Sequence, residues 1–271
     1  MYAGLTFRNR SGGIVGVHQK IDRIARRQLK KHIKTSHYFP TITQILHFEG
    51  LNGPDGIKRK SPSKDVPWHF IDPTKPDDGN LILNINDHLY NLAQALRLKN
   101  EERAAFEASW LAHAVVDGLT PAHHYPLNDK IEELFGKPHQ ERLTIMEKNF
   151  IKGNSYRDTI SRNWQYWGAG GVFTAHYTYE WGVASAIASD KFEESGPSAA
   201  DILNLKNHGF EEVFMEALHK IATMKMYDEF GANGWTHNLA NETRTILIPE
   251  IIRIVCLAWY CAVCLSEGDN P

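Results

Sequence analysis

Apolar residues recur three and four positions apart along most of this 271-residue chain, and the alternation typical of β-strands persists nowhere in it. That spacing places apolar side chains on one face of a helix, which is stable only when it packs against other helices. It predicts helices over residues 14–33, 39–48, 81–98, 100–117, 200–227 and 241–265. A chain of this length can bury a substantial core. We therefore predict an all-α, multi-helix bundle in which residues 1–271 form a single domain.

The most apolar of these segments, residues 246–265, has the length of a membrane span. Pro249, Glu250 and Arg253 interrupt it, so we predict a buried central helix and no transmembrane segment. All three cysteines of the chain, Cys256, Cys261 and Cys264, lie in this segment. An odd, clustered set gives no disulfide framework, and we interpret the three as core residues in a reducing compartment.

Charge excludes some classes of function. A net charge of −2 argues against a general nucleic-acid-binding surface. Basic residues cluster within 20–34, which we interpret as a solvated helix face, with a phosphate site as the alternative. Residues 1–15 contain no apolar region typical of a signal peptide. We therefore expect a cytoplasmic protein, or a secreted one if a natural leader has been removed.

The stretch WLAHAVVDGLTPAHHYP, residues 110–126, contains two polar residues that a purely apolar core helix would not need. His113 and Asp117 are four positions apart and so share one helix face, where burying them unpaired would be costly. Gly118 and Pro121 should stop the helix, which lets His123 fold back toward the same point. A bound metal ion would remove the cost of burial.

Spacing alone is a weak signal. Four histidines precede an acid by four positions, namely His18/Asp22, His113/Asp117, His176/Glu180 and His208/Glu212. With 14 histidines and 32 acids, about two such pairs are expected by chance. The long, turn-rich segment 51–80 strengthens the case, because a loop of that length is typically functional and contains WHFIDP with His69. Imidazole and carboxylate ligands without thiolates suit zinc or another borderline divalent ion.

Several of these motifs together resemble the superfamily of zinc-dependent phospholipase C and S1/P1 nucleases. HAVVDGLTPAH is similar to its signature, WHFIDP to its segment with the histidine that binds the first zinc, GVHQKIDRIA to its early helix, and HYTYE to its late histidine–acid pair. The motifs occur in the family's order between residues 18 and 180. The resemblance implies the all-α bundle of the phospholipase C/P1 nuclease type, with two or three zinc ions.

The resemblance also implies which residues bind these ions. Asp55, His69, His113 and Asp117 would hold the first zinc, His123, His176 and Glu180 the second, and His18 with a bridging Asp117 the third. Asp65 is an alternative to Asp55, and His124 is expected to lie behind the ligands or toward solvent. His208/Glu212 has no counterpart in the family. The family completes its third site with an N-terminal tryptophan, whereas the first tryptophan here is Trp68. The third site would therefore be absent, lower in affinity, or completed by other groups such as Asp22 or water.

The implied activity is hydrolysis of a phosphodiester by metal-activated water, with Asp55 orienting or deprotonating the water and Phe70 contacting substrate. The glutamate of HYTYE and the position of Asp55 favour a phospholipase C-like enzyme that acts on a phospholipid or another phosphodiester. The phenylalanine of HFID favours a single-strand nuclease or 3′-nucleotidase, for which nucleic acid is only a substrate. A non-catalytic helical protein with a structural or decayed metal site is the third possibility.

Overall fold

The computed structural model describes residues 1, 16–56, 69–75, 79–124, 127–138 and 141–268. Within these ranges the chain forms helices and turns without a β-strand, which confirms the predicted all-α class. The helices are α1 (Val17–Leu29), α2 (Ile42–His47), α3 (Asn80–Arg97), α4 (Glu101–Gly118), α5 (Leu127–Phe135), α6 (Ile145–Asn149), α7 (Tyr156–Trp167), α8 (Val172–Ala186), α9 (Ala199–Thr223), α10 (Met226–Asn233), α11 (His237–Glu242) and α12 (Ile248–Glu267). One large hydrophobic core draws residues from both ends of the chain.

Helix α12 occupies the centre of this core and packs against α1, α3, α4 and α9. Trp259 is fully buried on it, and its indole N–H donates to the carbonyl of Ala108 at 2.9 Å. The continuous helical stretch His237–Glu267 is long and apolar enough to cross a membrane, but 78% of its apolar window is buried inside the protein. Cys256 and Cys261 are buried here as well. The burial agrees with the predicted core helix.

The helix that carries HAVVDG begins as predicted and ends one residue later than predicted. Asn100 caps it, its side chain accepting from the backbone N–H of Arg103 at 3.1 Å. Gly118 was expected to stop the helix but is its last residue. A Cβ there would lie 2.7 Å from the Phe214 ring and 2.8 Å from Leu81. This glycine therefore allows α3 and α9 to approach α4, next to the residues of interest.

Two of the predicted helices are interrupted. Residues 200–227 divide into α9 and α10 because Lys225 adopts a left-handed conformation (φ 52°), and α9 is kinked at Gly209 (φ 80°). Residues 241–265 pass through a π-helical turn, Thr243–Leu247, before α12. Pro249, which has no N–H to donate, follows directly as the second residue of α12.

The basic residues of α1 form more than a solvated face. Arg26 donates from Nε to the Pro40 carbonyl at 2.6 Å, and Lys20 donates to the carbonyl of Ala188 at 3.1 Å. Arg27 and Lys30 are exposed, as the prediction required. Part of this charge thus ties α1 to neighbouring backbone segments and is not available for a phosphate ligand.

A second, smaller hydrophobic cluster lies outside the main core. Leu134, Ile151 and Tyr166 are its buried members, and they join α5 to α7. Val172, the first residue of α8, packs against the same cluster. This cluster therefore supports α8 at one end, while Tyr179, Val183 and Ala184 anchor that helix in the main core.

Candidate metal centre

Helix α4 and the turn after it supply three neighbouring polar side chains. His113 and Asp117 lie one turn apart, with 3.2 Å between Nε2 and Oδ2. The 3₁₀ turn Pro121–His123 then places Nδ1 of His123 3.5 Å from Oδ1 of Asp117. All three residues are buried. The chain reversal that Gly118 and Pro121 predicted therefore does bring His123 back to the end of α4.

Three other elements bring side chains to the same point. From α1, the ring of His18 stacks on that of His113 with 4.0 Å between centroids, so His18 is buried and is not the surface histidine that its position on a charged helix allows. His69 places Nδ1 against Oδ2 of Asp117. Helix α8 contributes His176 and Glu180, with 3.0 Å between Nε2 and Oε1.

Backbone contacts fix the segment that carries His69. The amide of Ile71 donates to the carbonyl of His123 at 3.3 Å, and Nδ1 of His123 donates to the carbonyl of His69 at 3.0 Å. Two hydrogen bonds thus join residues 69–71 to the turn after α4. Trp68 and the alternative ligand Asp65 lie outside the described residues.

The structure brings together all eight residues that the sequence singled out. They form three groups, in each of which one potential ligand atom per residue lies within 4.8 Å of the others: His18, His113 and Asp117; Asp55, His69 and His113; His123, His176 and Glu180. Among the described residues these are the groups able to hold a metal ion. The third matches the predicted second zinc set, whereas His113 is shared between the other two. Buried histidine and carboxylate groups that could hold a metal ion are therefore present.

The chemistry of His123 fits a metal. Its Nδ1 faces a carbonyl oxygen, which only accepts, so the ring proton must lie on Nδ1. Burial first, and the nearby N-terminal ammonium second, lower the pKa of His123 to about 3 and keep the ring neutral. Its Nε2 lone pair therefore points at Oε1 of Glu180, 3.1 Å away. Two acceptors at that distance repel each other unless a cation lies between or beside them.

Several buried imidazole nitrogens also indicate a metal site. Nδ1 of His18 and Nδ1 of His176 are buried without a hydrogen-bond partner among the described residues, and the buried Nε2 atoms of His18 and His113 face the carboxylate oxygens of Asp117 at 3.3 and 3.2 Å. Buried polar atoms are normally satisfied, and a group of unsatisfied imidazoles around carboxylates is the pattern of a metal site.

The amino group of Met1 lies at the centre of this cluster. It is 2.6 Å from Oδ1 of Asp117 and 3.3 Å from Oε1 of Glu180. Burial alone would lower its pKa, but the two carboxylates outweigh burial and raise it to about 10. In turn, burial opposes ionisation of Asp117 and Glu180, yet this ammonium, the largest opposing influence, holds both pKa values well below the usual range. A positive charge is thus stabilised where the ligand groups meet.

Asp22, suggested by the sequence to complete a third site, lies outside the three groups. Burial, followed by the charge of Glu49, raises the pKa of Asp22 well above its usual value, which favours the neutral acid. A neutral acid is a poor metal ligand. The structure therefore places the Met1 amino group, and not the Asp22 carboxylate, beside Asp117.

Glu49 is a member of the site that the sequence did not reveal. It is buried, and its Oε1 lies 3.1 Å from Nδ1 of His113 while Oε2 accepts from the amide of Gly50. This carboxylate fixes the ring of His113 so that Nε2 faces Asp117. Glu49 lies two residues before the turn-rich segment, and its spacing from the histidines follows no ligand pattern. Only its burial in the folded structure identifies it as part of the site.

The other residues considered in the sequence analysis differ in how they are placed relative to the metal-binding groups. The Phe70 ring is half-buried, 5.2 Å from the ring of His123 and 6.5 Å from that of His176. His124 lies behind the ligands and donates from Nε2 to the carbonyl of Gly118 at 2.7 Å. His208 and Glu212 form an exposed pair away from the centre, in agreement with their lack of an assigned role.

The ligand groups are most exposed on the side of α8 and of Asp55. The side chain of His176 is 16% exposed, whereas those of His18 and His113 are almost fully buried. Asp55 is half-buried. A small molecule could therefore reach the ligand groups along this side.

Comparison with known proteins gives no identification, because no protein-family model matches this sequence and no characterised protein compared with it is significantly similar.

Proposed function

We propose that this protein is a zinc-dependent phosphoester hydrolase that resembles phospholipase C and cleaves phosphodiesters with activated water. The observation that carries the proposal is the convergence of eight buried or half-buried imidazoles and carboxylates from five separate segments into three adjoining groups. Adjoining sites for divalent cations favour phosphoester hydrolysis over other reaction classes. The donor set, nitrogen and oxygen without sulfur, suits zinc.

Asp55, His69 and His113 with Asp117 would hold the first zinc, His123, His176 and Glu180 the second, and His18 with Asp117 a third. When bound, divalent cations polarise phosphoryl oxygens and lower the pKa of water toward ~7. Asp117 contacts members of two groups, which suits a bridging carboxylate.

Asp55 is the residue to which we assign the proton-transfer role. It is half-buried, so water can reach it, and its carboxylate lies within 4.8 Å of a ligand atom of His69 and of His113. A carboxylate so placed can orient an attacking water molecule and accept its proton. Phe70 lies beside His123 and offers an apolar contact to the substrate.

Replacing His113 or Asp117 by Ala tests the enzyme hypothesis. Both substitutions should remove bound zinc and abolish zinc-dependent release from a chromogenic phosphodiester, whereas His208→Ala, in the exposed pair, should change neither. Full activity of the His113→Ala or Asp117→Ala protein would overturn the assignment. If the wild-type protein binds zinc but releases no product, the centre is structural and the protein is not an enzyme of this class.

A second experiment is needed to determine which kind of phosphodiester is the substrate. The Phe70 ring next to His123 could stack on a nucleobase, which favours a single-strand nuclease as the alternative. Measuring hydrolysis of phosphatidylcholine against that of single-stranded DNA distinguishes the two. We expect faster hydrolysis of phosphatidylcholine, and a preference for DNA that is lost in Phe70→Ala would favour the nuclease.

A further inference from the structure

Residues 143–181 are unusually rich in exposed hydrophobic side chains. Among the described residues, ten of the sixteen large hydrophobic side chains that are exposed come from residues 143–181. Tyr156 is 82% exposed and Trp164 69%. Scattered apolar residues are normal on a protein surface, but a contiguous group marks a contact surface.

These side chains share one face on each of two helices. On α7 the exposed residues follow helical spacing, at Tyr156, Ile160, Trp164 and Trp167. On α8 they do the same at Phe173, Tyr177 and Trp181. We call these seven residues the aromatic face.

The two halves of the aromatic face are continuous. Helices α7 and α8 pack against each other, and the rings of Trp167 and Phe173 lie 4.8 Å apart. The face also borders the candidate metal centre, because His176 and Glu180 lie on α8 about a quarter turn from Tyr177 and Trp181. A surface bound to this face would therefore lie next to the side from which the centre is reached.

The charges around the aromatic face complement phosphate groups. Arg157 and Lys152 are exposed and form no ion pair with another described residue. Arg157 lies three and seven positions before Ile160 and Trp164, so it flanks them on α7. The nearby acid Asp158 is engaged by Arg162, and the pair lies on the opposite side of the helix. Positive charge is thus available at the edge of the face.

We propose that the aromatic face docks on the surface of a phospholipid bilayer. Tryptophan and tyrosine accumulate at membrane–water interfaces because their rings are apolar while their N–H and O–H groups can bond to headgroups. Lys152 and Arg157 would lie against the phosphates, which adds electrostatic attraction. The inference stands on exposure and charge and does not require the hydrolysis proposed above.

Sedimentation with sucrose-loaded vesicles tests the inference. The wild-type protein should bind vesicles of phosphatidylcholine and bind more tightly when phosphatidylserine is mixed in. The triple variant Tyr156→Ser/Ile160→Ser/Trp164→Ser should bind at least about tenfold more weakly, since it loses apolar area that enters the interface. The matched control Leu83→Ser/Tyr90→Ser/Leu98→Ser removes equally exposed side chains from the α3 region and should bind within about twofold of wild type.

Further measurements keep the inference distinguishable from the proposed function. Asp55→Asn should bind vesicles as wild type does even if it abolishes hydrolysis, and the triple variant should hydrolyse a soluble phosphodiester normally. Circular dichroism checks that the variants fold, and the single variant Trp164→Ser serves if the triple one does not. Absence of vesicle binding by the wild-type protein, or unchanged binding by the folded variants, would overturn the inference. So would a wild-type dimer without vesicle binding that the triple variant dissociates, because the occupant would then be a second copy.

Discussion

Oε1 of Glu49 lies 3.1 Å from Nδ1 of His113, and both side chains are buried. The opposite nitrogen of the same ring, Nε2, faces Asp117. A carboxylate behind a ligating histidine fixes the tautomer and the orientation of the ring and raises its basicity. Glu49 is therefore a positioning residue of the centre.

Glu49→Gln should weaken zinc binding by about 10–100-fold, because the amide keeps the shape but does not strengthen the imidazole donor. Competition with a chromophoric chelator measures this affinity directly. Glu102→Gln, at an exposed position of α4, is the control and should bind zinc like the wild-type protein. An unchanged affinity in Glu49→Gln would mean that Glu49 only fills space.

His18→Gln should lower the zinc content by about one ion per chain, because His18 is exclusive to one of the three groups. Elemental analysis of the purified protein gives the content. His208→Gln serves as the matched control, since His208 also precedes an acid by four positions but is exposed. Equal zinc content in all three proteins would remove His18 from the ligand set.

Helix identity could be predicted from the sequence, whereas helix ends and kinks could not. The spacing of the apolar residues indicates which face of a helix is buried, and this can be inferred without knowing which helices pack against it. Position 118 must be glycine because the ring of Phe214, about a hundred positions later in the chain, packs against it. A local sequence pattern cannot predict such a distant contact. The division at Lys225 similarly depends on a backbone conformation that lysine rarely adopts.

The centre shows the same division. His113, Asp117 and His123 could be predicted because one motif places all three at the end of helix α4, and His69 because it stands in the separate motif WHFIDP. Glu49 could not, since its role depends on burial against His113. The grouping also differed from the prediction, because the stacking of His18 on His113 is a tertiary contact. Sequence spacing thus predicted membership of the site better than the connections within it.

Gly182→Ala should destabilise the protein by about 2–3 kcal/mol, because a Cβ at this position would lie 1.7 Å from Nε1 of Trp235. The indole stacks on Tyr179 in the core, with 5.5 Å between centroids, and cannot move away easily. Urea unfolding followed by circular dichroism measures the change. Gly231→Ala is the control: its Cβ would meet nothing within 4 Å, and in helix α10 it should stabilise by about 0.5–1 kcal/mol. Equal effects of the two substitutions would contradict this account.

Arg253→Met should reduce stability at neutral pH and have less effect in acid. Arg253 donates to Asp201 at 2.7 Å and to Glu250. Burial alone would raise the pKa of both acids. Hydrogen bonds from Ser198, followed by the charge of Arg253, hold the pKa of Asp201 below its usual range, and hydrogen bonds from Arg253 and Lys220 do the same for Glu250. A lowered folded-state pKa contributes stability above the unfolded value of about 4, and this stability is lost as pH falls through the folded-state pKa.

We expect Arg253→Met to lower the free energy of unfolding by about 1–2 kcal/mol at pH ~7 and by less below pH ~4. The value at pH ~7 is at the low end for charged hydrogen bonds because Asp201 is partly exposed to solvent. Urea unfolding with a chelator in every sample measures this without a contribution from bound metal. Arg244→Met, with no ion pair to a described residue, is the control. A loss for Arg253→Met that is constant with pH would show that packing, and not charge, is responsible.

The three groups draw their ligands from positions 18 to 180, while among the described residues nothing after Glu180 contributes to them. The later helices include α12, which fills the core with apolar side chains. With an ion bound, stability would therefore have two unlike sources, because the ion would cross-link the earlier segments while α12 contributes apolar burial. Chelation should then leave the amide protons of α12 slow to exchange while residues 69–75, held outside any helix, exchange quickly.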